Sequence, residues 1–222
     1  FDVVREGEDA PPALTVRVCD SVSCSLFGAE PLISDLESQC GAGVRIQRVP
    51  CVGRCDAAPV AVVGRNPIGH ADAATVLTCV EQRQDGPEIP TDWVRYDAYC
   101  ADEGYVLAKR CLEDPTLAES IIDTLDSAGL RGLGGAGFPA GRKWRILKDQ
   151  PAPRLMAVNI DEGEPGTFKD RYYLERDPHR FLEGVLIATQ IVGIQRCYLY
   201  VRDEYPGVIE ILNTAIEELK AG

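Results

Sequence analysis

Four cysteines near the amino end have the spacing and the surroundings of metal ligands. Cys19 and Cys24 are separated by four residues, and Cys51 and Cys55 by three. Each pair follows a segment in which apolar and polar residues alternate, LTVRVC and VRIQRV, and such alternation predicts a strand. Two loops at one end of a sheet can bring four thiolates together. Four thiolates suit a [2Fe–2S] cluster, in which each iron takes two sulfurs.

Two other interpretations of these cysteines remain open at this stage. Structural zinc uses similar ligands, usually with C-x₂₋₄-C spacing, and a C-x₄-C pair combined with a C-x₃-C pair fits zinc less well. Buried free thiols can also pack as small apolar side chains, and we expect this of Cys40, which precedes Gly41. Nine cysteines without a secretory signal do not indicate a disulfide framework.

A glycine-rich segment, GLRGLGGAGFPAG over 129–141, is the second candidate site. It contains G-x-G-x-x-G, but a helical pattern rather than a strand precedes it, so a Rossmann fingerprint is rejected. Glycines let backbone amides approach a phosphate or a flat ring closely. Lys143 follows in a basic helix, whose amino end favours an anion. A flexible turn between helices is the alternative.

An acidic segment, NIDEGEPGTFKDR over 159–171, directly follows the predicted strand LMAVN. Ligands of open α/β sheets bind outside the carboxyl ends of strands. Asparagine and aspartate there can bind the hydroxyls of a ribityl chain or a ribose, and glutamates can accept hydrogen bonds from a carboxamide. A solvated charged turn is the alternative.

The composition restricts the class of partner. The formal charge of −12 disfavours nucleic acid and anionic membrane surfaces as partners. No segment approaches the length of about 20 apolar residues that spans a bilayer, and the start has no signal-peptide pattern. We therefore predict a globular cytoplasmic protein.

The order of predicted elements indicates two α/β domains. Strands and helices alternate up to residue 83, residues 84–100 are rich in breakers and polar groups, and alternation resumes over 101–222. We predict a first domain over 1–83, a linker over 84–100 and a second domain over 101–222. The predicted elements of the first domain are strands at 14–19, 44–49 and 59–63 and helices at 31–39 and 71–82.

These motifs resemble two known families. C-x₄-C…C-x₃-C on a thioredoxin-like fold resembles the [2Fe–2S] ferredoxin subunit of NADH:quinone oxidoreductase and its soluble relatives, over residues 1 to about 83. GLRGLGGAGFPAGRKW, NIDEGEPGTFKDR, PHRFLEG and YVRDEYP resemble the FMN- and NADH-binding flavoprotein subunit of the same enzymes, from about residue 95 onward. The fold implied is a thioredoxin-like domain followed by the first part of a flavoprotein-like α/β domain.

The resemblance also implies cofactors and site residues. The cofactors are a [2Fe–2S] cluster, FMN and NAD, and the four cysteines of the two pairs are the cluster ligands. Phe138 and Glu164 would lie against the nicotinamide nucleotide. The residues implied to contact FMN are Gly132, Gly134, Gly135, Gly137, Lys143, Asn159, Asp161 and Glu162. The chain departs from the family at Leu133, where an arginine is usual, and at Ile146, where an aromatic residue is usual.

Two features of this sequence, the fusion of the two domains in one chain and the leucine in the glycine loop, resemble those of a known family. This family is the β subunits of soluble NAD-dependent formate dehydrogenases that contain molybdenum or tungsten. This resemblance implies that formate is oxidised in a partner α subunit and that electrons reach NAD⁺ through clusters and FMN, without a catalytic side-chain base. The same module of a NAD-reducing hydrogenase or a respiratory NADH:quinone oxidoreductase is the nearest alternative. A non-enzymatic electron-transfer or zinc-structured docking module is the alternative from another class.

The family's flavoprotein subunit continues into a [4Fe–4S] site held by four cysteines. After Cys111 this sequence contains only Cys197, and it begins with Phe1 rather than methionine. We therefore expect a fragment of a longer subunit, with any [4Fe–4S] cluster in the missing carboxyl-terminal part.

Overall fold

The structure is a computed structural model that describes residues 12–222. Helices and strands are mixed throughout, which confirms the predicted α/β class. The described chain divides into two compact units. The first comprises residues up to 90 together with 161–172 and 202–210, and the second comprises 91–160, 173–201 and 211–222. These units are defined by spatial contacts, so the domain boundaries drawn from the sequence remain predictions.

A four-stranded sheet forms the centre of the first unit. Its strands are β1 (Leu14–Cys19), β2 (Val44–Val49), β3 (Ala61–Val63) and β4 (Asn66–Ile68), in the spatial order β2-β1-β3-β4. β1 pairs with β2 in parallel and with β3 in antiparallel orientation, and β3 and β4 form a hairpin. The bounds of β1 and β2 agree with the sequence prediction residue for residue. β4 was not predicted, because a three-residue strand contains too few positions to show alternation.

Three helices complete the first unit: α1 (Val22–Leu26), α2 (Ala29–Gln39) and α3 (Ala73–Glu81). α2 buries Leu32, Ile33 and Leu36 on the face that packs against the sheet. Asp72 caps α3, because its carboxylate accepts the Thr75 N–H at 2.7 Å. α1 has a single turn and was not predicted, since it has no helical repeat to recognise.

The second unit consists of helices with a two-stranded parallel sheet. Its strands are β5 (Arg154–Ile160) and β6 (Ile194–Val201), with Ala157 opposite Tyr198. Its helices are α4 (Tyr96–Ala101), α5 (Val106–Glu113), α6 (Leu117–Ser127), α7 (Ala140–Lys148) and α9 (Pro178–Val192). Two further helices, α8 (Lys169–Leu174) and α10 (Pro206–Ala221), begin in the first unit and end in the second. α4 begins inside the segment that was predicted to be a linker.

A buried histidine anchors the second unit. His179 has no exposed surface, and its Nδ1 lies 2.8 Å from the Tyr105 hydroxyl while its Nε2 lies 3.1 Å from the Glu218 carboxylate. The rings of Tyr96 and Tyr99 also pack within about 6 Å of its ring centroid. The role of His179 is therefore structural. Over residues 12–222, no helix has the length and apolar character needed to cross a bilayer.

The core of the first unit can be tested with two leucines. Leu36→Ala removes a side chain with no exposed surface, and we expect the free energy of unfolding to fall by about 2–5 kcal/mol. Leu26→Ala is the matched control, since Leu26 is 80% exposed and its truncation should change stability by less than about 0.5 kcal/mol. Urea titration followed by circular dichroism measures both. Equal losses for the two variants would contradict the placement of α2 on the sheet.

Candidate metal centre and flavin loop

The two cysteine pairs lie at one edge of the first sheet. Cys19 is the last residue of β1, and Cys51 follows β2 by two residues. Because β1 and β2 are parallel neighbours with Cys19 opposite Val49, both strands end at the same edge. α1 carries Cys24, and a turn of 3₁₀ helix beginning at Cys55 carries the fourth thiol. In the structure, the loops that follow β1 and β2 therefore meet at one edge of the sheet, as the sequence predicts.

The four thiols form part of a small buried cluster. Cys19, Cys24 and Cys51 are at most 2% exposed and pack with Val52, Val60 and two alanines, and Cys55 lies at the margin of this cluster. The Cys51 and Cys55 sulfurs are 3.3 Å apart. Cys19 and Cys24 are joined by a side-chain hydrogen bond. The thiols are therefore arranged as two pairs.

The surroundings of three of the cysteines shift the pKa of their thiols in different directions. The hydrogen bond from Cys24 lowers the pKa of Cys19 against the opposing effect of burial, and the backbone amides of Ser21 and Val52 lower it further. The same hydrogen bond, together with burial, raises the pKa of Cys24. Burial raises the pKa of Cys51 to about 11, although the Gly53 N–H points at its sulfur from 3.4 Å. A thiolate ligand is thus favoured first at Cys19.

The donor set fits a [2Fe–2S] cluster. Such a cluster takes two thiolates on each of two irons, and the structure supplies two thiol pairs with an amide N–H directed at a sulfur. A single zinc ion instead needs four ligands around one point. The two thiol pairs supply the four ligands that a two-iron cluster takes, and metal analysis distinguishes that cluster from zinc.

The loop from Cys51 to Cys55 is held by residues far along the sequence, all of them within the first compact unit. The Gly166 N–H donates to the Cys55 sulfur at 3.1 Å. Arg171 Nε donates to the Gly53 carbonyl at 3.2 Å, and Arg202 Nη2 donates to the Cys51 carbonyl at 2.6 Å. Sequence reasoning missed these supports. Their only signal was the motifs NIDEGEPGTFKDR and YVRDEYP, which do not reveal that both reach the cysteine loop.

Glu162 has an inward carboxylate. Its side chain is 1% exposed and accepts hydrogen bonds from the backbone amides of Asp170 (2.8 Å) and Arg171 (3.2 Å) at the start of α8. The Tyr205 hydroxyl lies 3.1 Å from the same carboxylate. The side chain of Glu162 therefore stabilises the acidic turn by joining it to the start of α8. The contact of Glu162 with FMN, which the family resemblance implies, remains a prediction.

The glycine-rich loop is closed by a short backbone bridge. The Gly132 N–H donates to the Phe138 carbonyl at 3.0 Å, and the Ala140 N–H donates to the Leu130 carbonyl at 2.8 Å. Between these bonds the backbone adopts positive φ at Gly135 (+92°) and Gly137 (+59°), a conformation that glycine adopts without a steric penalty. The backbone amides of this bend are therefore not covered by side chains. This is the arrangement that close approach of a ring or a phosphate requires.

The remaining predicted flavin and nucleotide residues occur in both compact units. Gly134 belongs to the exposed bend, Lys143 is exposed in the first turn of α7, and Phe138 is 43% exposed with the Arg142 guanidinium 5.8 Å from its ring centroid. Asn159 lies on the exposed face of β5 in the same unit. Asp161 and Glu164 are exposed in the acidic turn, which belongs to the first unit. Their common contact with one ligand remains a prediction.

Comparison with known families agrees with both parts of this description. Residues 8–84 match the family described as thioredoxin-like [2Fe-2S] ferredoxin, and residues 125–222 match the Nuo51 FMN-binding domain. The fold is therefore a thioredoxin-like [2Fe–2S] domain followed by a Nuo51 FMN-binding domain, which confirms the predicted fold class. The predicted [2Fe–2S] and FMN cofactors agree with these two domain types.

The individual relatives are oxidoreductase subunits or enzymes. It is 43% identical to a NADH-quinone oxidoreductase subunit of Aquifex aeolicus over 67% of this chain and 33% of that protein. It is 41% identical to the corresponding subunit of Rhizobium meliloti over 54% of this chain and 28% of that protein. The chain thus spans about a third or less of the curated relatives. A crystal structure of NAD⁺-reducing [NiFe]-hydrogenase in the air-oxidized state matches 96% of this chain and 42% of its own, with a TM-score of 0.75 and 29% identity.

Gly53 provides a test of the packing around the cysteine loop. Its φ of +72° and the Tyr205 ring against its Cα leave no space for a methyl group. We expect Gly53→Ala to lower the free energy of unfolding by more than about 1–2 kcal/mol, the cost of the left-handed conformation alone. Gly43→Ala is the control, because a methyl group there meets no atom within 4 Å. Thermal unfolding of both variants measures the difference, and an unchanged Gly53→Ala would contradict the contact with Tyr205.

Proposed function

We propose that this chain is a NADH-dehydrogenase (diaphorase) module that passes electrons between an iron–sulfur cluster, FMN and NAD⁺. The observation that carries the proposal is the buried cluster of two thiol pairs on a thioredoxin-like fold, in one chain with a Nuo51 FMN-binding domain. The relatives named as NADH-quinone oxidoreductase subunits and the NAD⁺-reducing hydrogenase support the nucleotide.

In this proposal the protein orients cofactors and supplies no acid or base. FMN, when bound, supplies the exchange of hydride with NAD and of single electrons with iron–sulfur centres. The open backbone at Gly135 and Gly137 leaves room for a ring, and Lys143 with the amino end of α7 supplies positive charge for a phosphate. Cys19 with Cys24, and Cys51 with Cys55, would each hold one iron. Burial of the cysteines limits water at the cluster.

The finer assignment is to the β subunit of a soluble, NAD-dependent formate dehydrogenase. It is supported by the fused domain order and by Leu133 in the glycine loop, and it implies a molybdenum- or tungsten-containing α subunit as partner and a cytoplasmic location. A second candidate is the same module of a NAD-reducing hydrogenase. That candidate is supported by the structural match, which covers almost the whole chain.

Cysteine substitution tests the cluster. Cys55→Ser removes one of the four proposed ligands, and we expect full-length protein to lose most of the ~2 irons per chain that a [2Fe–2S] centre contributes at this site. Cys40→Ser is the control, since Cys40 lies outside the four-cysteine cluster, and its iron content should match wild type. Paramagnetic resonance of dithionite-reduced protein, with iron, zinc and flavin analysis, gives the readout. Zinc without iron or FMN in the wild type would favour the docking-module alternative.

The electron donor is tested on the assembled complex. We expect the full-length protein, purified with its native partners, to form NADH from NAD⁺ when formate is added, as followed by absorbance at the nicotinamide band. Hydrogen gas is the matched alternative donor. Reduction by hydrogen and not by formate would replace the formate dehydrogenase assignment with the hydrogenase one, while leaving the diaphorase module in place.

A further inference from the structure

Two arginines of the segments 161–172 and 202–210 are buried against the Cys51–Cys55 loop. Arg171 is 5% exposed and Arg202 is 8% exposed. Arg171 reaches the Gly53 carbonyl at 3.2 Å and the Asp56 carboxylate at 2.5 Å. Arg202 reaches the Cys51 carbonyl at 2.6 Å and the Glu162 carbonyl at 2.8 Å. Burying a guanidinium is costly unless it is fully paired, so such a pair beside one loop is unusual in a structure.

A tyrosine and a backbone amide complete this shell. The Tyr205 hydroxyl lies 3.3 Å from the Gly53 carbonyl and 3.1 Å from the Glu162 carboxylate, and burial raises its pKa so that it stays protonated. The Gly166 N–H points at the Cys55 sulfur. Gly166 contacts a sulfur of the second cysteine pair directly, whereas Arg171, Arg202 and Tyr205 contact the carbonyl groups of the loop between these two cysteines.

We propose that Arg171, Arg202 and Tyr205 are positioning residues that hold the Cys51–Cys55 loop and raise the reduction potential of the cluster it would bind. The inference rests on the proposed function. Reduction adds one electron, and hence one negative charge, to a centre whose potential depends on the surrounding charge and on hydrogen bonds to its sulfurs. Positive groups and N–H donors beside two of its ligands favour the reduced form.

The carboxylates near the arginines do not reverse this direction, because the buried Glu162 carboxylate is present in the wild type and in every arginine variant, and the other two are exposed. Asp56 and Glu204, the ion-pair partners of Arg171 and Arg202, have side chains that are 39% and 40% exposed, so solvent screens them more than it screens the arginines. Removing either guanidinium makes the surroundings one unit more negative whatever the starting balance. The potential should then fall. The amide of Gly166 cannot be removed by a side-chain change, and its φ of +90° excludes proline, so the arginines carry the test.

The experiment is a redox titration of the full-length protein with dithionite and mediators, followed by paramagnetic resonance. We expect Arg171→Gln and Arg202→Gln each to change the reduced-to-oxidised ratio at the wild-type midpoint by about threefold or more, equivalent to about 28 mV downward at 59 mV per tenfold for one electron. Arg171→Lys keeps the charge but loses the two-partner geometry, so its shift should be less than half as large. Arg83→Gln, which removes an exposed arginine of the same unit, should leave the midpoint unchanged.

The outcomes separate the inference from the function on which it rests. A wild-type protein without a [2Fe–2S] signal overturns the proposed function and this inference with it. A wild-type signal with the midpoint unmoved in both glutamine variants, or moved equally by Arg83→Gln, overturns the inference alone. If the glutamine variants do not fold, Tyr205→Phe decides, because it removes one hydroxyl and leaves the ring. A lower midpoint with the signal retained supports the inference, and an unchanged midpoint overturns it.

Discussion

The parallel pairing of β1 with β2 is the constraint on which the convergence of the four cysteines depends. Parallel strands end at the same edge of a sheet, so the loop after Cys19 and the loop after Val49 must meet there. A register slip of one residue would displace the second loop by about 3.3 Å and turn alternate side chains to the other face of the sheet. Val44 and Ile46 of β2 pack against the core that contains Val16 and Val18 of β1, so such a slip would turn them away from it.

The cysteine loop and the glycine loop are built on opposite principles. Around the cysteines, side chains supply the chemistry, and burial with hydrogen bonds determines which sulfur is most readily a thiolate. The glycine loop instead lacks side chains, and positive φ at Gly135 and Gly137 makes an open bend that other residues would strain. The helices on either side of this bend, α6 and α7, are joined by Arg145 of α7, which donates to the carboxylates of Asp123 and Asp126 of α6.

Buried charge links the acidic turn to the cysteine loop. Arg171 and Arg202 are kept out of solvent, and each satisfies its guanidinium with loop carbonyls as well as with a carboxylate. Glu162 contributes by capping the start of α8 and by meeting the Tyr205 hydroxyl. Such a network is stable only when every partner is present, so the conformation of the loop depends on residues that are more than a hundred positions away.

Local patterns in the sequence were sufficient for β1, β2, the two cysteine pairs and the open glycine loop, because alternation, ligand spacing and glycine content are properties of short segments. They were insufficient for α1 and β4, which are too short to show a repeat. They were also insufficient for α4, which lies in a segment whose composition resembles a linker. Only the tertiary structure shows that Gly166 contacts Cys55 and that Arg171 contacts its loop at Gly53. The partners are 111 and 118 residues apart in the sequence, so no pattern of local spacing could indicate these contacts.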